Sequence, residues 1–162
     1  MIDSTAREIR PRAERHVARA RQYRRRPPAD GILTHMDVLA SRILLRPRDF
    51  ERSRQFYADT LGLGIFREWG DERAGGVVFY IGAGLLELSG AGTEPPSSAV
   101  RLILQVRDVY DEWRRLVAME VPIDSEPEVK PWGLVEATIR DPDGLAIIVV
   151  EVPPGHPQRG PR

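Results

Sequence analysis

Eight residues near the start of the chain's apolar region return, lightly altered, 59 positions later. Arg42-Ile-Leu-Leu-Arg-Pro-Arg-Asp49 lies over Arg101-Leu-Ile-Leu-Gln-Val-Arg-Asp108. A repeat of this length marks one supersecondary unit used twice, and it limits the folds open to the chain more than any other feature. Each copy reads as strand, helix, strand, strand, strand. A single βαβββ unit leaves one face of its sheet bare, so two copies must share what neither can cover alone. The expectation is an α+β chain of two tandem βαβββ modules.

The element pattern supports this within each copy. Leu39–Arg46 reads as a strand ended by Pro47, and Asp49 is a good N-cap for a helix carrying Phe50, Ser53, Phe56, Tyr57 and Leu61 on one face. Gly62 suits its C-cap. Strands are expected at Ile65–Trp69, Val77–Ile81 and Leu85–Ser89, the last two joined by Gly82-Ala-Gly84. In the second copy Val100–Val106 is a strand and Asp108 caps a helix whose buried stripe is Val109, Trp113, Leu116 and Val117. Pro122–Pro131 reads as irregular, Leu134–Arg140 as a strand, Asp141-Pro-Asp-Gly144 as a turn and Leu145–Val152 as the last strand.

The apolar pattern sets the boundaries. Residues 1–37 form a basic N-terminal extension, disordered or weakly helical; 38–90 are module one, 91–98 a linker, 99–152 module two and 153–162 a disordered tail. The whole chain balances 24 basic against 24 acidic residues, which removes any global field favouring nucleic acid or acidic membranes. That balance is uneven: residues 1–30 hold nine arginines against four acids, a net of +5. Such an arm is either a nucleic-acid or lipid contact or a solvated tail, and the sparse apolar residues favour the tail. Nucleic acid and membrane are therefore not expected partners. With no cysteine in its 162 residues the chain has no disulfide, zinc-thiolate site or thiol nucleophile, and a cytoplasmic location is expected. One lysine against 23 arginines points to a GC-rich source genome.

Several short motifs, in order, resemble the vicinal oxygen chelate superfamily of glyoxalases, bleomycin-resistance proteins and extradiol dioxygenases. They are Asp49-Phe-Glu-Arg-Ser-Arg-Gln-Phe-Tyr57, Leu61-Gly-Leu63 and Leu85-Leu-Glu-Leu88, then Val106-Arg-Asp108, Pro131-Trp-Gly133 and Asp141-Pro-Asp-Gly144. The resemblance implies that the two modules curl into an open, barrel-like cup, often in a dimer, with the ligand inside. It also implies four positions at which metal-dependent relatives place His, Glu or Gln. Two lie seven residues before the capping Asp of each module, where this chain has Arg42 and Arg101. A guanidinium has no lone pair to give, so neither is a ligand. The third position matches Glu87, which can ligate, and the fourth matches Ile148. His16, His35 and His156 all fall in the tails, so the expectation is no metal, no cofactor and no catalytic residue.

Strand alternation places Leu44 and Arg46 with Arg42, and Ile103 and Gln105 with Arg101. The opposite set, Ile43, Leu45, Leu102 and Leu104, is uniformly apolar and should face the helices. The candidate ligand-binding residues are therefore Arg42, Leu44, Arg46, Glu87, Arg101, Ile103, Gln105 and Trp132. Arg42, Glu87 and Arg101 form either a closed salt-bridge network or a site in which one guanidinium forks onto a ligand anion. Trp132 is either a stacking surface or a hydrophobic anchor. Ser53 has no histidine partner within the modules, so no Ser-His-Asp triad is supported.

The expected function is a metal-independent small-molecule binding protein of the bleomycin-resistance type, sequestering a planar or aromatic ligand. The competing reading is a superfamily enzyme, a lyase, isomerase or dioxygenase, with non-standard metal or acid–base residues. A symmetric homodimer is the expected assembly. Because the basic arm lacks a buriable face, deleting residues 1–35 should leave the melting temperature within about a degree or two, the range of surface changes. Calorimetry of the truncated chain checks this; a larger loss would show that the arm docks on the modules.

Overall fold

The computed structural model describes Met36, residues 38–70 and residues 75–159. The basic extension before Met36 lies outside them. The chain divides into Met1–Leu39 and a unit spanning Ala40–Arg162, and the fold below is that of the second unit.

In module one, β1 (Arg42–Leu45) leads to α1 (Phe50–Gln55), followed by β2 (Ile65–Trp69), β3 (Gly76–Ile81) and β4 (Gly84–Ser89). In module two, β5 (Arg101–Val106) leads to α2 (Val109–Ala118), β6 (Ile123–Val129), β7 (Val135–Arg140) and β8 (Ala146–Glu151). Each module makes one four-stranded sheet, ordered β1-β4-β3-β2 and β5-β8-β7-β6. The first strand runs parallel to the last in both, and the remaining pairs are antiparallel. The fold is α+β, two βαβββ modules in tandem, and neither sheet closes into a barrel.

The helix starts follow from the capping residues. The Asp49 carboxylate accepts the Arg52 amide at 3.0 Å, and that of Asp108 accepts the Asp111 amide at 2.9 Å. The first helix does not continue regularly to Leu61 as expected. After Gln55 it widens into a π turn over Phe56–Thr60, closed by the Leu61 amide on the Phe56 carbonyl at 2.8 Å. Phe56 and Tyr57, at the start of this turn, are both buried in the core. Gly62 then ends the element at φ +70°, a conformation that favours glycine.

Four other expectations are corrected. Pro122–Pro131 is not irregular, since it contains β6; the strand hides behind Pro127 and a broken register because it lies at the sheet edge, where a missing amide donor is tolerated. Ile43 faces the helix side but stays exposed, because β1 is also an edge. On α2 the stripe is narrower than expected: Val109 and Leu116 are buried, Trp113 is half-buried and Val117 is exposed. Residues 153–159 are not a loose tail; the Arg159 side chain donates to the Val152 carbonyl at 2.8 Å, and Pro157–Arg159 forms a short helical turn.

One continuous apolar core unites the helix-facing sides of both sheets, including Phe79, Leu86 and Leu88 from one and Ile139, Ile147 and Val149 from the other. Polar bonds lock the modules together at the Asp141-Pro-Asp-Gly144 turn. Asp141 accepts the Leu145 and Asp143 amides at 2.7 and 3.0 Å, and its other oxygen accepts the Tyr57 hydroxyl at 2.9 Å. Asp143 in turn accepts from Arg48 and Ser53. Burial raises the Asp141 carboxyl above its ordinary value, against the pull of these bonds. Burial, and then the Asp141 charge, push the Tyr57 phenol far upward and keep it a donor.

Tyr57→Phe should therefore cost about 1–3 kcal/mol by leaving a buried carboxylate oxygen unmet. A raised acid value means the fold prefers the protonated carboxyl, so the stability Asp141 contributes is present at low pH and lost as pH rises through its folded value. The deficit of the Phe variant, read by urea unfolding, should accordingly shrink on acidification.

Candidate functional site

Register sorts the side chains on the face of each sheet turned away from the helices into rows. On the first sheet Arg42, Leu85 and Tyr80 form one row, and Leu44, Glu87, Val78 and Arg67 the next. Arg42 donates to Glu87, and Ser89 donates to the other carboxylate oxygen at 2.9 Å. The Arg42 hydrogen bond, then that of Ser89 and the fields of Arg42 and Arg67, hold the Glu87 carboxyl below its ordinary value despite burial. Arg67 itself lies 5.3 Å above the Trp69 ring, a cation–π contact. Trp69 folds across Gly76, where a Cβ would collide with the ring.

On the second sheet the rows are Arg101, Ala146 and Arg140; then Ile103, Ile148 and Thr138; then Gln105, Val150 and Glu136. Ile148 thus occupies the place that Glu87 holds in the first sheet. Trp132 hangs over the third row, its indole N–H donating to Glu136 at 2.8 Å. At 57% exposure Trp132 is not a buried anchor. Ile103, at 62%, is equally open.

The expected residues are therefore brought together in two groups. Arg42, Leu44 and Glu87 share one sheet, with Arg46 just past its edge strand; Arg101, Ile103, Gln105 and Trp132 share the other. Arg42 and Glu87 form an ion pair, whereas among the described residues Arg101 has no carboxylate within 4.0 Å. The three do not make a closed network. Two partners escaped the sequence reading. Arg67 was legible in the alternation of Ile65–Trp69 once paired with β3, and Glu136 lies four residues beyond Trp132 with no motif to mark it.

At the seam between modules a cavity of about 440 Å³ is lined by Leu61, Ile81, Leu116 and Val149, with Ile103 and Gln105 at its β5 side. Leu44 and Arg46 border a smaller one of about 320 Å³ beside the linker residue Glu94. A groove of about 590 Å³ on the helix side carries Arg48, Arg52 and Arg140. Arg42, Glu87 and Arg101 line none of these three, since they lie on open sheet faces. The donor set does not fit a metal of the superfamily kind: Arg42, Arg101 and Ile148 offer no lone pair at three of the four positions. Among the described residues no three His, Asp or Glu side chains converge.

The chain belongs to the glyoxalase/bleomycin resistance protein/dioxygenase superfamily, whose family model matches residues 39–149. Solved structures agree in fold. An antibiotic-binding protein, TnmS3 from Streptomyces sp. CB03234, is 24% identical with a TM-score of 0.62, covering 74% of this chain and 100% of its own. Glyoxalase I of Leishmania major is 28% identical with a TM-score of 0.56, covering 68% and 84%. A lactoylglutathione lyase from Agrobacterium tumefaciens is 24% identical with a TM-score of 0.52, covering 77% and 95%. No curated protein sequence matches. Among the described residues no helix is long and apolar enough to cross a membrane.

The lowered Glu87 value predicts an acid-side effect. A depressed carboxyl contributes stability above its unfolded value and loses it as pH falls through the folded one. The melting-temperature advantage of the native protein over Glu87→Gln should therefore be present at neutral pH and shrink as pH falls through the acid range. Because Arg42 is 43% exposed, added salt should reduce the advantage throughout.

Proposed function

We propose that this protein binds and sequesters a planar, aromatic, anionic small molecule on the open face of its second sheet, without a resident metal, in the manner of a resistance protein. The observation that carries the reading is Trp132: an exposed indole pinned by Glu136 leaves its ring available for stacking on the face that also presents Arg101. Ile103, Ile148 and Gln105 form the floor between them. The ends of this surface differ in charge. Glu136 makes the Trp132 end unfavourable for an anion, so the acid group belongs at Arg101, whose guanidinium can fork onto it. From strand spacing and rise, the Trp132 and Arg101 ends lie roughly 16 Å apart, which suits three or four linked rings better than a single one. Arg42 is already neutralised by Glu87 and is the weaker anion site.

A second copy is the proposed cover. Leu44, Tyr80 and Ile103 stand exposed on the open faces, and a ligand laid there would otherwise remain half in water. The superfamily also contains lyases, so the competing reading is an enzyme with a displaced ligand set, and metal content separates the two.

Thermal-shift titration with anthraquinone-2-sulfonate, bleomycin and aromatic acids should raise the melting temperature for planar anions. Trp132→Ala should weaken such binding about three- to tenfold, the value of one aromatic contact, with little change in fold stability. Arg101→Met should cost about ten- to a hundredfold for the anionic probe only. Equal affinity in both variants and native protein would remove this face as the site. Stoichiometric divalent metal whose chelation abolishes an activity would overturn the binding reading.

A further inference from the structure

The segment after β8 folds back onto the loop that carries Trp132, and His156 makes the contact. Its Nε2 lies 2.9 Å from the Trp132 carbonyl oxygen, and its Nδ1 lies 3.2 Å from the Gln158 backbone nitrogen. A backbone N–H only donates, so Nδ1 must supply a lone pair. The ring proton then sits on Nε2 and is donated to Trp132. The two contacts together specify a neutral imidazole in one tautomer.

The ring is held closely on both sides. Gly133, at φ +85°, lies so near that a Cβ there would stand 3.3 Å from His156 Cδ2. The His156 amide donates to Pro153, and its carbonyl accepts from Arg159 at 2.9 Å. The loop's own turn is short, with the Gly133 amide on Lys130 and the Lys130 amide on Leu134, both at 2.8 Å. Trp132 is thus clamped at two points: its indole by Glu136 and its carbonyl by His156.

We infer that His156 is a positioning residue for Trp132, and that its hold exists in full only while the imidazole is neutral. A second proton would go onto Nδ1, where the Gln158 N–H already points, and two donors cannot share that gap. The ring or the Pro157–Arg159 turn must then move, taking the donor to Trp132 with it. Nothing nearby is placed to receive the new charge. Lys130 is paired with Glu128, Glu136 is engaged by the indole, Arg159 is itself cationic, and among the described residues no carboxylate lies within 4.0 Å of His156. The consequence for binding rests on the proposed role of Trp132 as a ligand wall; the clamp itself does not.

Full-length protein labelled with 15N at its tryptophans, with the indole signal assigned by Trp132→Phe, tests both parts. On acidification from about pH 8 to about pH 5.5 the Trp132 indole signal should move in one step. His156→Gln, whose amide can still donate to the carbonyl but does not titrate there, should abolish the step. His156→Ala should displace the signal at every pH. Affinity for anthraquinone-2-sulfonate, whose charge is fixed across this range, should fall about three- to tenfold on acidification in the native protein, the worth of one lost hydrogen bond, and stay constant in the Gln variant. A signal without a step, or the same step in His156→Gln, would overturn the clamp. A step without any change in probe affinity would uphold the clamp and overturn the ligand role of Trp132.

Discussion

The hydrogen bond from Tyr57 to Asp141 joins the two halves of this molecule at the margin of the core they share. Each module exposes an apolar helix side, and the shared core that results must be sealed at its polar margin. Asp141 does this with one oxygen closing its own turn and the other receiving the phenol from the opposite module. The arrangement explains why an acid is tolerated at a buried position: its bonds return much of what desolvation costs. Tyr57 reaches Asp141 from the π turn while Phe56, beside it, fills the adjoining core.

Duplication made two similar sheets, and their open faces have since diverged in charge. Where the first sheet has Glu87 beside Leu44, the second has Ile148 beside Ile103. The first face therefore pairs Arg42 with Glu87, and the second leaves Arg101 without an ion-pair partner among the described residues. One position in the repeat thus sets whether this guanidinium finds a carboxylate on its own sheet. Of the four positions that the family resemblance marks for metal ligands, three here carry Arg42, Arg101 and Ile148.

The repeat, the caps at Asp49 and Asp108, and the alternation of β1 and β5 were legible because each depends on neighbours in sequence. What was missed depends on partners far along the chain. Strand β6 was hidden by Pro127, which only an edge position permits, and edges are a property of the sheet. Ile43 follows the apolar pattern but stays exposed for the same reason. Of the site, alternation placed each candidate on its face, yet could not say that Arg101 and Glu87 belong to separate sheets without an ion pair between them. His156 carried no signal at all, since a histidine among Pro and Gly near the end of a chain reads as solvated.

Trp132 gathers these strands of the argument. An exposed indole costs hydrophobic free energy unless something covers it, and its freedom would blur any surface it formed. Here two bonds remove that freedom before a ligand arrives, one from the sheet through Glu136 and one to the tail through His156. Rigid aromatic surfaces bind better than mobile ones because the ordering cost has been met in folding. The same two bonds hold the loop between β6 and β7 against the sheet and the segment after β8. Under the proposed reading, the second sheet offers an uncovered aromatic face above the row of Gln105 and Val150, two rows from Arg101, which has no ion-pair partner among the described residues.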